Sequence, residues 1–320
     1  MNSSNETTAP RYFLPWYTSV MFDSPRLCSP MLRYAQVIIL PIITVTGLFG
    51  NVASFIIMTS EKFRVCSYAS YLAALAVFDT LLMFAYTAPV LNYAFYPRIV
   101  VELSTDFACE FYEYFFQVTD IISSGLIVLL TAERFAIVVW PFSARTIATP
   151  SVSRTLVILL TVTWFASFTY IFAAVEYSPD RGGCVFVSEY WSDFYFRISP
   201  TFTSYLPVTV VVIFNVVLIA MLRRSEQFGG AGGKKANSTR KATFLVITVS
   251  IMFAAFIIPT DMFVLISTFV VIPDQLLSDI SVIMADFYAT NSVINFYIYL
   301  LSGDEVKNYV KKNWLPRWNK

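Results

Sequence analysis

The sequence predicts an all-α membrane protein, a bundle of seven transmembrane helices, and three observations support this fold class. Hydrophobic residues make up 57% of the 320 residues and charged residues only 13%, about half of the charged fraction of soluble domains. Seven apolar runs reach the length of about 20 residues that a helix needs to cross the hydrocarbon core. Lysine and arginine are concentrated in the connections on one side of these runs. The lipid bilayer is therefore the predicted solvent of most of the chain.

The predicted organisation is an extracellular segment at 1–33, the bundle at 34–301, and a cytoplasmic helix and tail at 302–320. The seven predicted spans are 34–60, 67–92, 106–139, 150–175, 197–223, 240–271 and 277–301. The third span has 34 residues, enough for it to tilt or to protrude into water. After the seventh span, apolar residues recur at helical spacing on one face, namely Val306, Tyr309, Val310 and Trp314. This pattern predicts a short amphipathic helix along the inner membrane surface.

The distribution of basic residues predicts the orientation of the bundle. With the N-terminus outside, 16 of the 22 lysines and arginines fall in the cytoplasmic loops and helix ends, and 6 fall outside. Cytoplasmic loops of membrane proteins carry such an excess. Asn2 and Asn5 each begin a glycosylation sequon, which agrees with an extracellular N-terminus. We therefore predict a multi-pass protein of the plasma membrane, glycosylated at Asn2 and Asn5.

Composition argues against several classes of protein. The chain contains no histidine, so it lacks the usual general base and the commonest metal ligand. Its four cysteines form no C-x-x-C pair, which argues against a zinc or iron–sulfur site. A net charge of +1 gives no indication of nucleic acid binding. An enzyme is not expected, whereas a transporter or channel using Asp79 and Asp120 as an ion path stays open as an alternative.

Short motifs occur in a fixed order along the spans. They are Gly50-Asn51, the stretch LAVFD that ends at Asp79, Glu133-Arg134-Phe135, Trp164, Pro207, Pro259, and the stretch NSVINFYIY from Asn291 to Tyr299. In this combination the chain resembles the rhodopsin-like (class A) family of G-protein-coupled receptors. The stretch AERFAIVVWPF at 132–142 is similar to the peptide-receptor type, with invertebrate FMRFamide-like neuropeptide receptors as the nearest resemblance. The family is a family of receptors that activate a heterotrimeric G protein.

The resemblance implies roles for residues at both ends of the bundle. It implies an extracellular disulfide between Cys109 and Cys184. It also implies a cytoplasmic switch and G-protein coupling region built from Glu133, Arg134, Phe135, Pro141, Phe253, Pro259 and Tyr299. Cys109 and Arg134 are 25 residues apart, about seven helical turns, which puts them at opposite faces of the membrane. Since the inner end of the sixth span has no acidic residue, Arg134 is expected to be held by Glu133 alone.

Three positions depart from the family pattern. Phe296 stands where the seventh span usually has proline, Ile257 where the sixth has tryptophan, and Asn215 where the fifth has tyrosine. Without a proline ring at position 296, we expect the kink of the seventh span to be weaker or to have another origin. These departures concern the switching mechanism and leave the predicted fold unchanged.

Asp79 is the centre of a predicted polar cluster. A carboxylate in the middle of a membrane requires partners or a proton. Its candidate partners are Asn51, Ser123, Asn291, Ser292 and Asn295. The resemblance implies an allosteric sodium ion at Asp79, and oxygen ligands suit a hard cation. A hydrogen-bonded polar core without an ion is the alternative, and no other cofactor is expected.

The outer half of the predicted bundle is acidic and aromatic. The outside carries 12 acidic and 6 basic residues, which favours cationic ligands. The candidate ligand-binding residues are Glu113, Phe116, Gln117, Asp120, Trp191, Asp261 and Asp286. Phe116 stands where amine receptors of the family have aspartate, and no lysine in 277–301 could bind retinal. We predict an extracellular cationic peptide as the ligand, with a small-molecule or odorant receptor as the alternative.

Overall fold

Seven long helices, side by side, form the body of the molecule. The computed structural model describes residues 29–95, 105–178, 183–227, 234–270 and 272–314. Five of the seven helices are single segments: α1 (Pro30–Thr59), α2 (Ser67–Phe95), α3 (Asp106–Val139), α6 (Lys234–Phe269) and α7 (Asp274–Ser302). The fourth helix, α4 (Pro150–Ser167), is continued by two short helical turns, Phe168–Tyr170 and Ile171–Ala174. The predicted glycosylation residues Asn2 and Asn5 lie outside the described residues.

The fifth helix, α5, is built from three parts. It comprises Glu189–Pro200, a π-helical turn at Thr201–Tyr205, and Leu206–Gln227. The prediction that this span begins at 197 was wrong by eight residues, because the outer part alternates aromatic and polar side chains and so is not an apolar run. The wider π turn follows Pro200 directly, as expected where a proline removes a backbone donor.

Six of the helices in the described part of the chain are long and apolar enough to cross a membrane. The remaining long helix, α7, has 29 residues but carries Asp286, Asn291 and Asn295, which lower its mean hydropathy. α7 packs against α1, α2 and α6 and so closes the ring of helices. The predicted seven-helix bundle is confirmed, and polar side chains of the seventh helix, among them Asn291 and Asn295, are buried within it.

Two helices begin with local sequence signals. Thr105 precedes α3, and its side chain accepts a hydrogen bond from the backbone N–H of Ala108 at 3.2 Å. Thr149 caps α4 in the same way through Val152 at 3.3 Å. Both caps satisfy donors that a helix start leaves unpaired. α3 covers the predicted residues 106–139, because its cap and the following Trp140-Pro141 define both ends.

α3 is the central helix, with contacts to α2, α4, α5 and α6. At the periphery, α1 approaches its neighbours closely at Gly47. A Cβ atom at Gly47 would lie 2.6 Å from Met83 Sδ on α2 and 2.7 Å from Val293 Cγ2 on α7. Glycine leaves room for α1 to come this close to α2 and α7. Small residues promote the packing of helices in membranes.

A hairpin covers one end of the bundle. Strands β1 (Val175–Ser178) and β2 (Gly183–Phe186) pair antiparallel, with Val175 opposite Phe186. The backbone N–H of Tyr177 donates to Asp106 Oδ1 at 2.8 Å, which attaches the hairpin to the start of α3. We call this end of the bundle the outer end and the opposite end, which contains Glu133 and Arg134, the inner end.

α7 runs without interruption from Asp274 to Ser302. Phe296 is buried and makes edge-on contacts with Phe49 on α1, 5.9 Å between ring centroids, and with Tyr297. A side chain that retains its backbone N–H leaves no reason for a break at this position. Gly303 follows, and the short helix α8 (Asp304–Asn313) begins directly after it, with Asp304 and Glu305 in its first turn and Lys311 and Lys312 in its last.

Candidate functional site

A cavity of about 310 Å³ opens in the outer half of the bundle. Residues of five helices line it: Tyr86 from α2; Phe116, Gln117 and Asp120 from α3; Tyr195, Ser199, Pro200, Thr203, Ser204 and Tyr205 from α5; Thr260, Asp261, Val264 and Leu265 from α6; Ala285 and Tyr288 from α7. A volume of this size is at the lower end of the range for small-ligand pockets. Convergence of helices that are distant in sequence makes this cavity the candidate ligand site.

Two carboxylates, from α3 and α6, line this cavity. Asp120 on α3 is buried and accepts a hydrogen bond from the Tyr288 hydroxyl of α7. Asp261 on α6 is partly buried and is hydrogen-bonded by Ser204 of α5. None of the described lining residues is basic. Because a buried carboxylate without a cationic partner costs free energy, the cavity is suited to a ligand with a positively charged group.

A chain of hydrogen bonds forms the wall next to Asp120. Ser199 Oγ donates to Gln117 Oε1 at 2.5 Å, and Gln117 Nε2 donates to the Tyr195 hydroxyl. Tyr195 is in turn hydrogen-bonded to Glu113, one turn nearer the outer end of α3. Glu113 Oε2 is buried and has no hydrogen-bond partner. This chain fixes the amide of Gln117, so that its orientation towards a ligand is determined in advance.

The structure brings four of the seven predicted ligand-binding residues together around the cavity, namely Phe116, Gln117, Asp120 and Asp261. Glu113 lies behind the wall. Trp191 stacks on Tyr170, 5.8 Å between ring centroids, away from the cavity. Asp286 accepts hydrogen bonds from Gln36 at 2.6 Å and Tyr86 at 3.2 Å, and thereby links α7 to α1 and α2.

Sequence reasoning missed most of the polar residues that line the cavity, among them Tyr195 and Tyr288. Tyr195 lies before the predicted start of the fifth span, so its helix was not extended far enough to include it. Tyr288 precedes Ser292 and Asn295 by four and seven residues, and residues at this spacing share one helix face. Helical spacing from the predicted polar cluster would therefore have identified Tyr288.

Asp79 lies at the centre of a buried polar cluster deeper in the bundle. Its carboxylate accepts hydrogen bonds from Ser123 Oγ at 2.5 Å and from Asn295 Nδ2 at 2.7 Å. Asn51 donates instead to the backbone carbonyl of Ser292 at 3.2 Å. Asn291 is also buried. Polar side chains of α3 and α7 thus bind the α2 carboxylate, and the Asn51 side chain of α1 binds α7.

The donor set of this cluster fits a sodium ion. Asn51 Oδ1 is buried and has no hydrogen-bond partner, and the buried Ser292 hydroxyl lies beside the Asp79 carboxylate. Together with the Asp79 carboxylate and Ser123 Oγ, they offer oxygen atoms of the kind that hard cations bind. Among the described residues, no group of three or more histidine, cysteine, aspartate or glutamate side chains could hold a metal ion.

Glu133 and Arg134 form a buried ion pair at the inner end of α3. Arg134 Nη2 lies 2.8 Å from Glu133 Oε1, and both side chains are at most 5% exposed. Ser67 of α2 donates to Glu133 Oε1 at 2.7 Å, and Ser153 of α4 lies 3.5 Å from Oε2. The carboxylate is thus shared by three helices, and its partners on α2 and α4 were not predicted.

Arg134 has a second partner that the sequence analysis missed. Its guanidinium lies over the Tyr68 ring, 5.0 Å from the centroid, a distance at which a cation is attracted to an aromatic face. Arg134 Nε is buried without a hydrogen-bond partner. The expectation that Glu133 alone holds Arg134 was therefore incomplete, because α2 supplies an aromatic face that no spacing in the sequence relates to α3.

The other predicted switch residues surround this pair or lie above it. Phe135 stacks on Phe214 of α5, 4.4 Å between ring centroids, and contacts Trp140 edge-on. Phe253 and Tyr299 are buried, Pro259 is partly buried inside α6, and Pro141 is exposed. Asn215 donates to Ser250 Oγ at 3.0 Å, so this α5 residue is bonded to α6.

The predicted disulfide between Cys109 and Cys184 is present, with 5.5 Å between the Cα atoms. It joins the first turn of α3 to strand β2, above the cavity. A membrane bundle with a cavity under a disulfide-linked hairpin and a buried ion pair at its other end defines a transmembrane receptor. The family model of the seven transmembrane receptors of the rhodopsin family matches residues 50–299. The chain belongs to this family, which is a receptor family and not one of enzymes.

Two relatives show the breadth of the similarity. The chain is 22% identical over 310 residues to the Allatostatin-A receptor of Bombyx mori, with 91% of this chain and 82% of that protein covered. It is 23% identical over 239 residues to a “Probable G-protein coupled receptor” of Caenorhabditis elegans, with 68% of this chain and 54% of that protein covered. Similarity to the first extends over nearly the whole bundle and is consistent with the predicted peptide-receptor type.

Proposed function

We propose that this receptor binds an extracellular peptide with a positively charged group and activates a heterotrimeric G protein. The observation that carries the proposal is the cavity of about 310 Å³ with carboxylates from α3 and α6, Asp120 and Asp261, and no basic residue among those described in its lining. The relative from Bombyx mori is by its name a receptor for Allatostatin-A, which supports a peptide as the ligand.

The proposed location is the plasma membrane, with the outer end of the bundle and the N-terminus outside the cell. The 16-to-6 distribution of lysine and arginine supports this orientation. The proposal includes glycosylation at Asn2 and Asn5. In this orientation, Pro141, Trp140 and Phe142 are exposed on the cytoplasmic side and are available to contact a G protein.

A screen of amidated peptides against a second-messenger readout tests the ligand, followed by Asp120→Asn and Asp261→Asn. We expect each substitution to lower the potency of a cationic peptide about 10-fold or more, because hydrogen bonds to charged groups are among the strong ones. Asp193→Asn is the matched control, since Asp193 is an exposed acid on α5 that pairs with Arg197 outside the cavity. Unchanged potency in both cavity variants would contradict the pocket assignment.

A small-molecule ligand is the second candidate, and the size of the cavity favours it. At about 310 Å³, the cavity holds a small amine completely but only one or two side chains of a peptide. The same two aspartates would bind the amine. Screening amines beside peptides distinguishes the candidates, because a full response to an amine alone would identify the small-molecule receptor.

We also propose that Asp79 binds a sodium ion with Ser123, Asn51 and Ser292. Bound sodium would stabilise the purified receptor by mass action, so thermal stability should be higher in sodium chloride than in choline chloride of the same ionic strength. Asp79→Asn should abolish this difference. Asp286→Asn, in the polar network with Gln36 and Tyr86, should preserve it. Equal stability of the unsubstituted receptor in both salts would identify the cluster as an ion-free polar core.

A further inference from the structure

Glu113 on α3 is a buried acid that lies outside the ligand cavity. It is 1% exposed, and it does not line the cavity. Its carboxyl group is hydrogen-bonded to the Tyr195 hydroxyl, whereas its Oε2 atom has no hydrogen-bond partner. A buried carboxyl group with an unused acceptor costs free energy that a cationic partner would recover. Glu113 therefore offers an unused acceptor atom in the outer half of the bundle.

Glu113 belongs to the same face of α3 as two residues of the cavity. Gln117 and Asp120, four and seven residues further along α3, both line the cavity, and residues at this spacing share one helix face. Seven residues of helix rise about 10 Å. The acids at 113 and 120 are therefore two turns apart on one side of α3, and the Gln117 amide lies between them.

Tyr195 of α5 forms the boundary between Glu113 and the cavity. Its hydroxyl is hydrogen-bonded to Glu113 and accepts a hydrogen bond from Gln117 Nε2. Tyr195 and Gln117 both line the cavity, so the chain of hydrogen bonds that starts at the cavity wall ends at Glu113. A ligand group that replaces the Tyr195 hydroxyl would therefore reach the Glu113 carboxyl group directly from the cavity.

The position of Glu113 extends the cavity towards the outer end of the bundle. Cys109, four residues earlier on α3, is joined to Cys184 of the hairpin. The cavity itself, at about 310 Å³, holds only one or two side chains of a peptide. Because Glu113 lies between Asp120 and the hairpin along α3, a longer ligand bound at Asp120 passes Glu113 before it leaves the bundle.

We propose that Glu113 forms a second cation subsite, so that the receptor binds a ligand with two positively charged groups about 10 Å apart. One group pairs with Asp120, and the other replaces the Tyr195 hydroxyl at Glu113. An extended peptide rises about 3.3 to 3.6 Å per residue, so about three residues span this distance. The inference rests on the proposed function, because it adds a second subsite to the same cavity.

The test uses the purified full-length receptor and two probes, octylamine with one ammonium group and octamethylenediamine with one at each end. The affinity of each is measured from the rise in thermal stability with concentration. We expect the diamine to bind about 10-fold more tightly, because a charged hydrogen bond to Glu113 replaces a neutral one. Glu113→Gln should lower the affinity for the diamine about 10-fold and thereby abolish the preference. Glu189→Gln is the matched control and should retain it, since Glu189 is an exposed glutamate at the start of α5, outside the cavity.

A second variant separates a contact with the ligand from a structural role of Glu113. Tyr195→Phe removes the hydroxyl that is bonded to Glu113, so the preference for the diamine should increase. If Glu113 only fixed the Gln117 amide through Tyr195, then Glu113→Gln and Tyr195→Phe would weaken both amines equally, and the proposal would be overturned. It is also overturned if Asp261→Asn abolishes the preference and Glu113→Gln does not.

The two amines also separate this inference from the proposed function. Equal affinity of the unsubstituted receptor for octylamine and octamethylenediamine, with both weakened by Asp120→Asn, would overturn the second subsite and leave the cation site at Asp120 in place. Failure of both amines to bind would overturn the cation site and the second subsite together.

Discussion

Arg134 makes contacts beyond its ion pair, and one of its nitrogen atoms has no hydrogen-bond partner. Glu133 binds it at 2.8 Å, the Tyr68 ring lies beneath its guanidinium, and its Nε is buried without a partner. An unpartnered buried donor costs free energy that a different arrangement of the side chain would recover. Glu133 is itself bound by Ser67 and Ser153. The carboxylate is therefore the better-fixed partner of the two.

Substitution of Glu133 by glutamine should raise ligand-free signalling. The change removes the negative charge that faces Arg134 in a site less than one tenth exposed, and loss of one partner of a buried pair costs about 3 kcal/mol or more. We expect lower thermal stability and faster nucleotide exchange without ligand. Glu61→Gln is the control, because Glu61 and Arg64 form a 3.9 Å pair at 92% and 65% exposure. Equal basal exchange in both variants would contradict a role for Glu133 in restraining Arg134.

At the scale of elements, the inner end of α6 is attached to α8. Lys241 near the start of α6 pairs with Asp304 at 2.7 Å, and the Lys241 hydrogen bond lowers the pKa of Asp304 below its usual value of 3.8. α8 is in turn attached to the connection after α1, where Phe63 contacts Tyr309 edge-on. The inner end of α6 has no acid near Arg134, and it is attached to α8 through Lys241 and Asp304 instead.

Asp304→Asn should release this end of α6 and raise basal signalling slightly. The effect should be smaller than that of Glu133→Gln, because exposed pairs contribute little, and it should diminish at high salt. Because the pKa of Asp304 is lowered in the folded protein, its stabilising contact is present above the usual aspartate pKa and is lost as pH falls through the lowered value. Basal exchange that is identical in the variant and the unsubstituted receptor at low salt would show that the pair does not restrain α6.

At the scale of the whole molecule, the disulfide connects the hairpin to the bundle. Cys109 and Cys184 are separated by 75 residues, and the segment they enclose contains all of α3 after its first turn and all of α4. Phe186, two residues after the cysteine in β2, packs on Tyr195 at 5.1 Å between ring centroids. The crosslink therefore holds the roof of the cavity over α3 and the outer part of α5.

Cys184→Ala should destabilise the receptor by about 4 kcal/mol, since a crosslink that closes a loop of this length mainly limits the unfolded chain. Thermal unfolding of the purified receptor measures the loss. Cys66→Ala is the matched control because Cys66 is a free cysteine, and its removal should change stability little. We expect ligand binding to fall in Cys184→Ala more than stability alone would explain, as the hairpin loses its attachment above the cavity.

Much of the bundle could be predicted from local sequence features. The limits of α3 follow from the apolar run and its flanking residues, and they agree with the prediction of 106–139. The outer part of α5 could not be found in this way, because Glu189–Pro200 is amphipathic and continues as helix only through its packing. The cavity residue Tyr195 depended on that extension, whereas Tyr288 could have been identified from its helical spacing to Ser292 and Asn295.

The sequence by itself determined the membrane environment, the number of helices and the motifs at their ends, because apolar length and residue identity are local properties, whereas the disulfide was predicted only from the resemblance to the family. Only the tertiary structure decided which acids face the cavity. Asp120 and Asp261 line it, whereas Asp286 turns towards Gln36 and Tyr86. It also placed Tyr68 of α2 beneath Arg134 of α3. Such neighbours come from different helices, and their proximity depends on helix rotation and packing, which no single segment specifies.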